Sequence, residues 1–373
     1  MAAAPARGSG TAGLTLTALR DSRLKLRAGA RLLAGRIAGP TRRGHTAPAP
    51  RRREDELRRD DAQLESRLVW LMGSPRTGTT WLLRMLIHPW ILASRRPSGV
   101  VRPIATRRAE LPDVMPINET FLPLHLIPLT PGSKPAGGGG SQAPSLAEAR
   151  AGEPSYFFSD EFAEAWRPEL RRMILARLRA QVETGRRGHS LDDPLVLIKE
   201  PNGSHGAELL MSLLPTSKLL FVVRDGRDVV DSLLDAERSW AGAGDSRTSG
   251  RLAAVRRHSW HWAMFTAAVQ RAYESRPPEL RHMVRYEELR AAPVESLRPI
   301  LAWLGLPDGE ARVRDAAEAN AFENLPRLMK GAGTPRRAAT PGLWRTNLSG
   351  EEQAEMGEIM GEKLAELGYE PDR

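Results

Sequence analysis

Apolar residues run along this chain in short unbroken stretches, each followed by a segment of helical period. Leu68–Met72, Leu195–Lys199 and Leu219–Val223 have the length and aliphatic content of strands buried on both faces. Each gives way to a turn and then to an amphipathic helix: Trp81–Ile87 (stopped by Pro89), Ala207–Leu214 and Val229–Ala236. A long helical pattern over Arg251–Glu274 leads to a further strand at His282–Tyr286. Phe162, Trp166, Leu170, Ile174, Leu178 and Val182 recur every four residues and predict one helix face packed in a core. Ser349 and Glu352 form a capping-box pattern for a last helix, and Gly368 stands where it should end. Alternating strands and helices predict an α/β fold of three layers, α/β/α, around a central parallel sheet. No internal repeat is visible.

Composition narrows this picture. The 373 residues carry a net charge of +10, but the excess is local. Residues 1–53 hold twelve Lys and Arg against the single acid Asp21, so residues 54–373 sum to −1. A uniformly basic nucleic-acid-binding domain is therefore disfavoured, and no nucleic-acid partner is expected. Residues 1–66 read as a basic extension with little order, broken over Pro40–Pro50. Leu14–Ile37 could form a basic amphipathic helix, so this extension is either a solvated tail or a peripheral membrane or targeting segment. Residues 67–373 read as one domain, with a flexible Gly/Pro-rich insertion at about 131–154 that includes Gly137–Gly140. The absence of Cys removes disulfides, thiol nucleophiles and Cys-ligated metals. No run of 18 apolar residues occurs, which implies a cytoplasmic protein, membrane-associated at most.

Two motifs carry candidate chemistry. Gly73-x-x-x-x-Gly78, between the first strand and its helix, has the spacing of a phosphate-binding loop. Its glycines permit a tight turn, and free N–H groups at the helix start would meet an anion where the helix dipole is positive. Thr77, Thr79 and Thr80 add hydroxyls. A nucleoside triphosphatase, however, needs Lys after the second glycine and a carboxylate for Mg²⁺. Thr79 stands at that position, the cation lies inside the loop at Arg76, and the Leu219–Val223 strand ends in Arg224. The loop reads as an anion site without a metal. The second motif is Arg224-Asp225-Gly226-Arg227-Asp228, with Ser232 two turns into the following helix. Arg224 and Ser232 could converge on one phosphate. The bland alternative is a surface network of ion pairs among Arg224, Asp225, Arg227 and Asp228.

Together these segments resemble the sulfotransferases that use 3′-phosphoadenosine 5′-phosphosulfate (PAPS). GSPRTGTTW (73–81) is similar to that family's 5′-phosphosulfate loop, and FVVRDGRDVVDS (221–232) to its 3′-phosphate motif. VRYEEL (284–289), with a helix ending in Leu304–Pro307, is similar to the segment bordering the adenosine, and PRRAATPGLWRTNLS (335–349) to the cofactor-closing loop. The resemblance runs in order over about 67–367, and 49 Arg against six Lys suggest a bacterial member. It implies a P-loop nucleoside triphosphate hydrolase-like sulfotransferase fold and metal-independent in-line transfer of a sulfuryl group to a hydroxyl.

By this resemblance Arg76, Thr77, Gly78, Thr79 and Thr80 would hold the 5′-phosphate, with Arg76 also steadying charge on the bridging oxygen. Arg224, Ser232 and Arg337 would bind the 3′-phosphate, and Trp81 and Tyr286 would border adenine, with core packing the competing reading for both aromatics. Lys199 resembles the family's strand-end catalytic lysine. Cytosolic relatives place a His two residues after it, where this chain has Pro201. Glu119 is the candidate base in its stead, with Glu110, His125, Glu200 and His205 behind it. The acceptor would be a carbohydrate, lipid or small-molecule alcohol, met by the loops 94–130 and 241–250. Two other readings stay open: a P-loop kinase-like phosphotransferase and a catalytically inactive nucleotide-binding module.

Overall fold

The computed structural model describes residues 50–88, 114–117, 158–186, 194–240, 250–324, 331 and 339–370. Five strands form one sheet among them: β1 (Leu68–Met72), β2 (Val114–Ile117), β3 (Leu195–Lys199), β4 (Lys218–Val223) and β5 (Arg281–Arg285). Their order is β2-β3-β1-β4-β5, and every pairing is parallel. Leu71 lies level with Lys199 on one side and with Leu220 on the other, so the carboxyl ends of β1, β3 and β4 reach one edge together. β2 escapes the sequence reading. It has four residues and contains Pro116, a residue a sheet accepts at an edge, which is where β2 lies.

Side-chain alternation divides the strands between two cores. Leu68, Trp70, Met72, Val196, Ile198, Leu219, Phe221 and Val223 face one side. There they meet α3 (Ala163–Arg186), α4 (Ala207–Leu213), α5 (Gly226–Trp240), α6 (Arg251–Glu274), α10 (Trp344–Asn347) and α11 (Gly350–Glu366). Val69, Leu71, Leu197, Leu220 and Val222 face the other side, against α2 (Thr79–Leu86), α7 (Tyr286–Ala291), α8 (Pro293–Leu304) and α9 (Glu310–Ala319). The result is the predicted three-layer α/β/α arrangement. Burial on both faces explains why β1, β3 and β4 read as unbroken apolar runs.

The helix boundaries have local causes. Ser349 accepts from the Glu352 N–H (3.3 Å), while the Glu352 carboxylate accepts from the Ser349 N–H (2.8 Å) and closes the capping box of α11. Gly368, at φ +73°, turns the chain out of that helix, and Tyr369 N–H donates back to Leu364 O at 2.9 Å. In α3 the four-residue stripe buries Leu170, Ile174, Leu178 and Val182. Phe162 departs from it: it lies in a 3₁₀ turn before the helix and is 51% exposed.

Two compact units divide the chain, Met1–Asp55 and Glu56–Arg373. The helix α1 (Pro50–Ser66) occupies a stretch the sequence reading assigned to the N-terminal extension. Within the second unit its residues Leu64 and Glu65 are buried, Glu65 accepts from Thr216 N–H (2.7 Å) and pairs with Arg171, and Asp61 pairs with Arg179. A charged sequence concealed this helix because two of the anchors that hold it, Glu65 with Arg171 and Asp61 with Arg179, are ion pairs. No helix among the described residues is long and apolar enough to cross a membrane. The remainder of the N-terminal extension and the 131–154 insertion lie outside the described residues.

Candidate active site

The Gly73–Thr80 loop leaves β1 at the carboxyl edge of the sheet, where ligands of open α/β folds bind. Gly73 stands there at φ +157°, and a Cβ on it would come within 2.2 Å of Val222 O. Its N–H donates to Ser204 Oγ (3.0 Å), and that hydroxyl lies 2.9 Å from Gly73 O and 3.0 Å from Glu200 O. The first loop is thereby fastened to the turn after β3. Thr77 is turned inward, its hydroxyl donating to Ser74 O at 2.8 Å. Thr79 is buried and Thr80 exposed. Gly78, at φ +96°, opens α2 with Tyr286 directly above it, since an added Cβ would meet Tyr286 Cδ2 at 2.6 Å.

Arg76 has φ +74°, a left-handed conformation that costs a non-glycine residue about 1–2 kcal/mol. Two contacts to the second motif hold it there. Its Nε donates to Ser232 Oγ (3.0 Å), and its carbonyl accepts from Arg224 Nη1 (3.1 Å). The structure thus joins Arg76, Arg224 and Ser232, which the sequence reading takes from two motifs about 150 residues apart. Arg224 also lies over the Tyr286 ring, 4.2 Å from its centroid. Its Nε is buried and has no partner, a guanidinium N–H left to meet an anion. Donors of this kind suit a phosphorylated nucleotide.

The surface ion-pair alternative for residues 224–228 does not hold. Asp225 and Arg227 form a buried bidentate pair, Arg227 Nε donating to Asp225 Oδ1 at 3.0 Å and Nη2 to Oδ2 at 2.8 Å. Arg227 lies over the Trp344 ring at 4.4 Å. Asp228 is buried too and accepts from Gly342 N–H (2.8 Å). Its burial raises the carboxyl above its usual pKa, against the pull of Arg224 and of the Gly342 N–H. Asp231 accepts from Asn347 Nδ2 at 2.9 Å. These acids of α5 hold the far end of the segment likened to a closing loop.

The peptide unit that follows Arg224 is gripped at both ends. Trp262 Nε1 donates to Arg224 O (3.2 Å), and Asp225 N–H donates to Glu287 Oε1 (2.9 Å). Gly226 packs flat under Trp262, whose ring an added Cβ would strike at 2.5 Å. On the proposed adenosine side, Trp81 is half-buried. It meets Tyr286 edge-on at 5.9 Å, and its Nε1 donates to Asn320 O at 2.8 Å. The Asn320 amide lies 3.3 Å from His88 Nδ1, whose Nε2 is 3.2 Å from Asp315. Tyr286 is buried, which pushes its phenol pKa up.

Lys199 ends β3 beside Leu71 and is 4% exposed. Glu200, next to it, is fully buried. His205 stacks on Phe265 (5.1 Å), which stacks on His261 (6.2 Å), and His258 lies 6.4 Å from His261. Burial lowers the pKa of all three imidazoles. Glu119, Glu110, His125 and Arg337 lie outside the described residues, as do most of the two acceptor loops. Sequence reasoning passed over Ser204, Trp262, Glu287 and Asn320. Of these only Glu287 left a trace, as part of VRYEEL.

A glycine loop and a second cationic motif thus meet at the carboxyl edge of a parallel sheet. The model of the Sulfotransferase family matches residues 69–310, and the chain belongs to that family of transferases. No curated protein matches the sequence significantly. Among solved structures, a mouse sulfotransferase complexed with PAP is similar at 11% identity, over 80% of this chain and 84% of that one, with a TM-score of 0.45. A sulfotransferase from Mycobacterium avium is 17% identical over 87% and 88% of the two chains, with a TM-score of 0.42. Retinol dehydratase in a complex with retinol and PAP is 15% identical over 85% and 88%, with a TM-score of 0.44.

Proposed function

We propose that this sulfotransferase moves a sulfuryl group from PAPS to the hydroxyl of a carbohydrate, lipid or small-molecule alcohol, without a metal. The observation that carries the reading is the meeting of Arg76, Arg224 and Ser232 at 3.0–3.1 Å, with a buried Arg224 Nε–H that has no partner. The leaving nucleotide is already a stable anion, so the protein's task is positioning and charge stabilisation. Arg76 would hold the 5′-phosphate and the bridging oxygen, with Gly78, Thr79 and Thr80 supplying further donors and Thr77 shaping the loop. Arg224, Ser232 and Arg337 would take the 3′-phosphate, while Trp81 and Tyr286 border the adenine. Lys199 would stabilise the sulfuryl group in transit, and Glu119 would accept the acceptor's proton. We further propose that residues 67–373 form the catalytic domain, with the Asp61–Glu65 part of α1 packed against it.

Thr79 in place of a Lys, and Arg224 at the end of β4 in place of a carboxylate, count against a Mg²⁺-dependent kinase. A thermal-shift comparison of adenosine 3′,5′-bisphosphate (PAP) with 5′-AMP, each with and without Mg²⁺, tests the donor assignment. Stronger stabilisation by PAP, indifferent to Mg²⁺, is expected. Equal response to the two nucleotides would overturn it, because Arg224 and Ser232 would then have no ligand. Release of PAP from PAPS only when an alcohol is added separates an active enzyme from an inactive binding module.

A further inference from the structure

The Glu287 carboxylate hydrogen-bonds to none of the residues assigned to the donor's phosphates by resemblance, yet it controls the backbone that presents one of them. Its Oε1 accepts from Asp225 N–H at 2.9 Å, and its Oε2 accepts from the Tyr369 hydroxyl at 3.0 Å. Burial pushes the Tyr369 phenol pKa up, so the hydroxyl keeps its proton and donates. Arg285 lies over the Tyr369 ring at 4.4 Å and donates through Nη1 to Leu367 O at 2.6 Å, fixing the chain end just beyond α11. The residue before Glu287 is Tyr286, the platform under the Arg224 guanidinium.

Besides the hydrogen bond to Arg76 O, three restraints therefore act on Arg224 at once. The Trp262 indole grips its carbonyl, Glu287 grips the next N–H, and Tyr286 supports its side chain. The peptide plane after Arg224 is held at its carbonyl and at its N–H, and Val223 before it is paired in the sheet, so the Cα–Cβ direction of Arg224 is set from both sides. A charged hydrogen bond depends steeply on direction and distance, so this orientation decides how well the guanidinium meets a phosphate.

We infer that Glu287, held by Tyr369, is the positioning residue that aims Arg224 at the 3′-phosphate, so that the C-terminal segment sets nucleotide discrimination. The inference rests on the PAPS reading above. It is tested on the full chain by calorimetric titration with PAP and with 5′-AMP, alongside the unfolding midpoint. Wild type should prefer PAP. Glu287→Ala should lower that preference about tenfold while AMP affinity stays within about twofold, as expected for loss of a charged contact to the extra phosphate alone. Glu287→Gln keeps an acceptor for Asp225 N–H and should retain most of the preference. Tyr369→Phe, which removes one hydroxyl and folds more safely, should lose part of it.

A wild type that does not distinguish the nucleotides sinks the PAPS reading itself. A wild-type preference that survives both Glu287→Ala and Tyr369→Phe overturns the positioning role alone. Parallel loss of PAP and AMP affinity, tracking the unfolding midpoint, also overturns it, since Glu287 would then be a purely structural support.

Discussion

Substituting Gly78 by Ala probes the contact between the phosphate loop and Tyr286 without assuming any ligand. The new Cβ would lie 2.6 Å from Tyr286 Cδ2 and 3.0 Å from Cε2, so the ring must retreat. The backbone at φ +96° adds a cost of its own, about 1–2 kcal/mol for a residue with a side chain. Overpacking of a buried aromatic adds about 1–3 kcal/mol. Gly305 supplies the control: its φ is +71°, but nothing lies within 4 Å of an added Cβ. Gly305→Ala should therefore cost the backbone portion alone, and the difference between the two variants isolates the contact. Urea unfolding at constant m-value should show Gly78→Ala the less stable by about 1–3 kcal/mol. Because Tyr286 supports Arg224 at 4.2 Å, Gly78→Ala should also weaken PAP binding, and Gly305→Ala should not. Equal stability losses and equal PAP affinities in the two variants would refute the placement of Tyr286 on the loop.

Arg224→Ala should weaken PAP by roughly 10–150-fold, the equivalent of a charged hydrogen bond of about 1.5–3 kcal/mol, and AMP far less; titration of both nucleotides decides, and an equal loss for both counts against the assignment. Glu119→Gln should keep PAP binding and lower turnover by roughly 10²–10⁴-fold, the usual share of a general base; retained turnover would move that role elsewhere. The buried imidazoles of His205, His258 and His261 have pKa values lowered by desolvation, so below the ordinary histidine range the unfolded chain binds more protons than the folded one. Stability should therefore fall as pH drops through that range, by up to about 1.4 kcal/mol per pH unit for each group. Unfolding midpoints from pH 7.5 to 5 should show this slope, and His205→Gln with His261→Gln should flatten it; an unchanged slope would assign the acid sensitivity to other groups.

The features readable in the sequence are those that local patterning controls. Burial on both faces gives β1, β3 and β4 their unbroken apolar runs, and the capping box of α11 is written within four residues. β2 was missed because a four-residue edge strand with a proline carries no such pattern. The His282–Tyr286 strand proved to be Arg281–Arg285, since Tyr286 begins α7. α5 starts at Gly226, earlier than its first apolar residues suggest, because its opening turn holds polar side chains that are buried. Asp225 and Arg227 look like surface charges until Trp344, more than a hundred residues later, lies against the guanidinium. The roles of Glu287 and Trp262 are hidden for the same reason. Their importance depends on which backbone group each reaches, and composition and spacing do not encode that.

Arg76 sets folding and function against each other. Its backbone pays a left-handed cost that glycine would not, and the guanidinium it carries is the one cation inside the loop. Replacing it with Gly would relax the turn while removing the group proposed to meet the donor's 5′-phosphate. Selection for stability alone would therefore tend to erase this arginine. If Arg76 holds the donor as proposed, an engineering campaign guided only by melting temperature would be drawn toward an inert protein there.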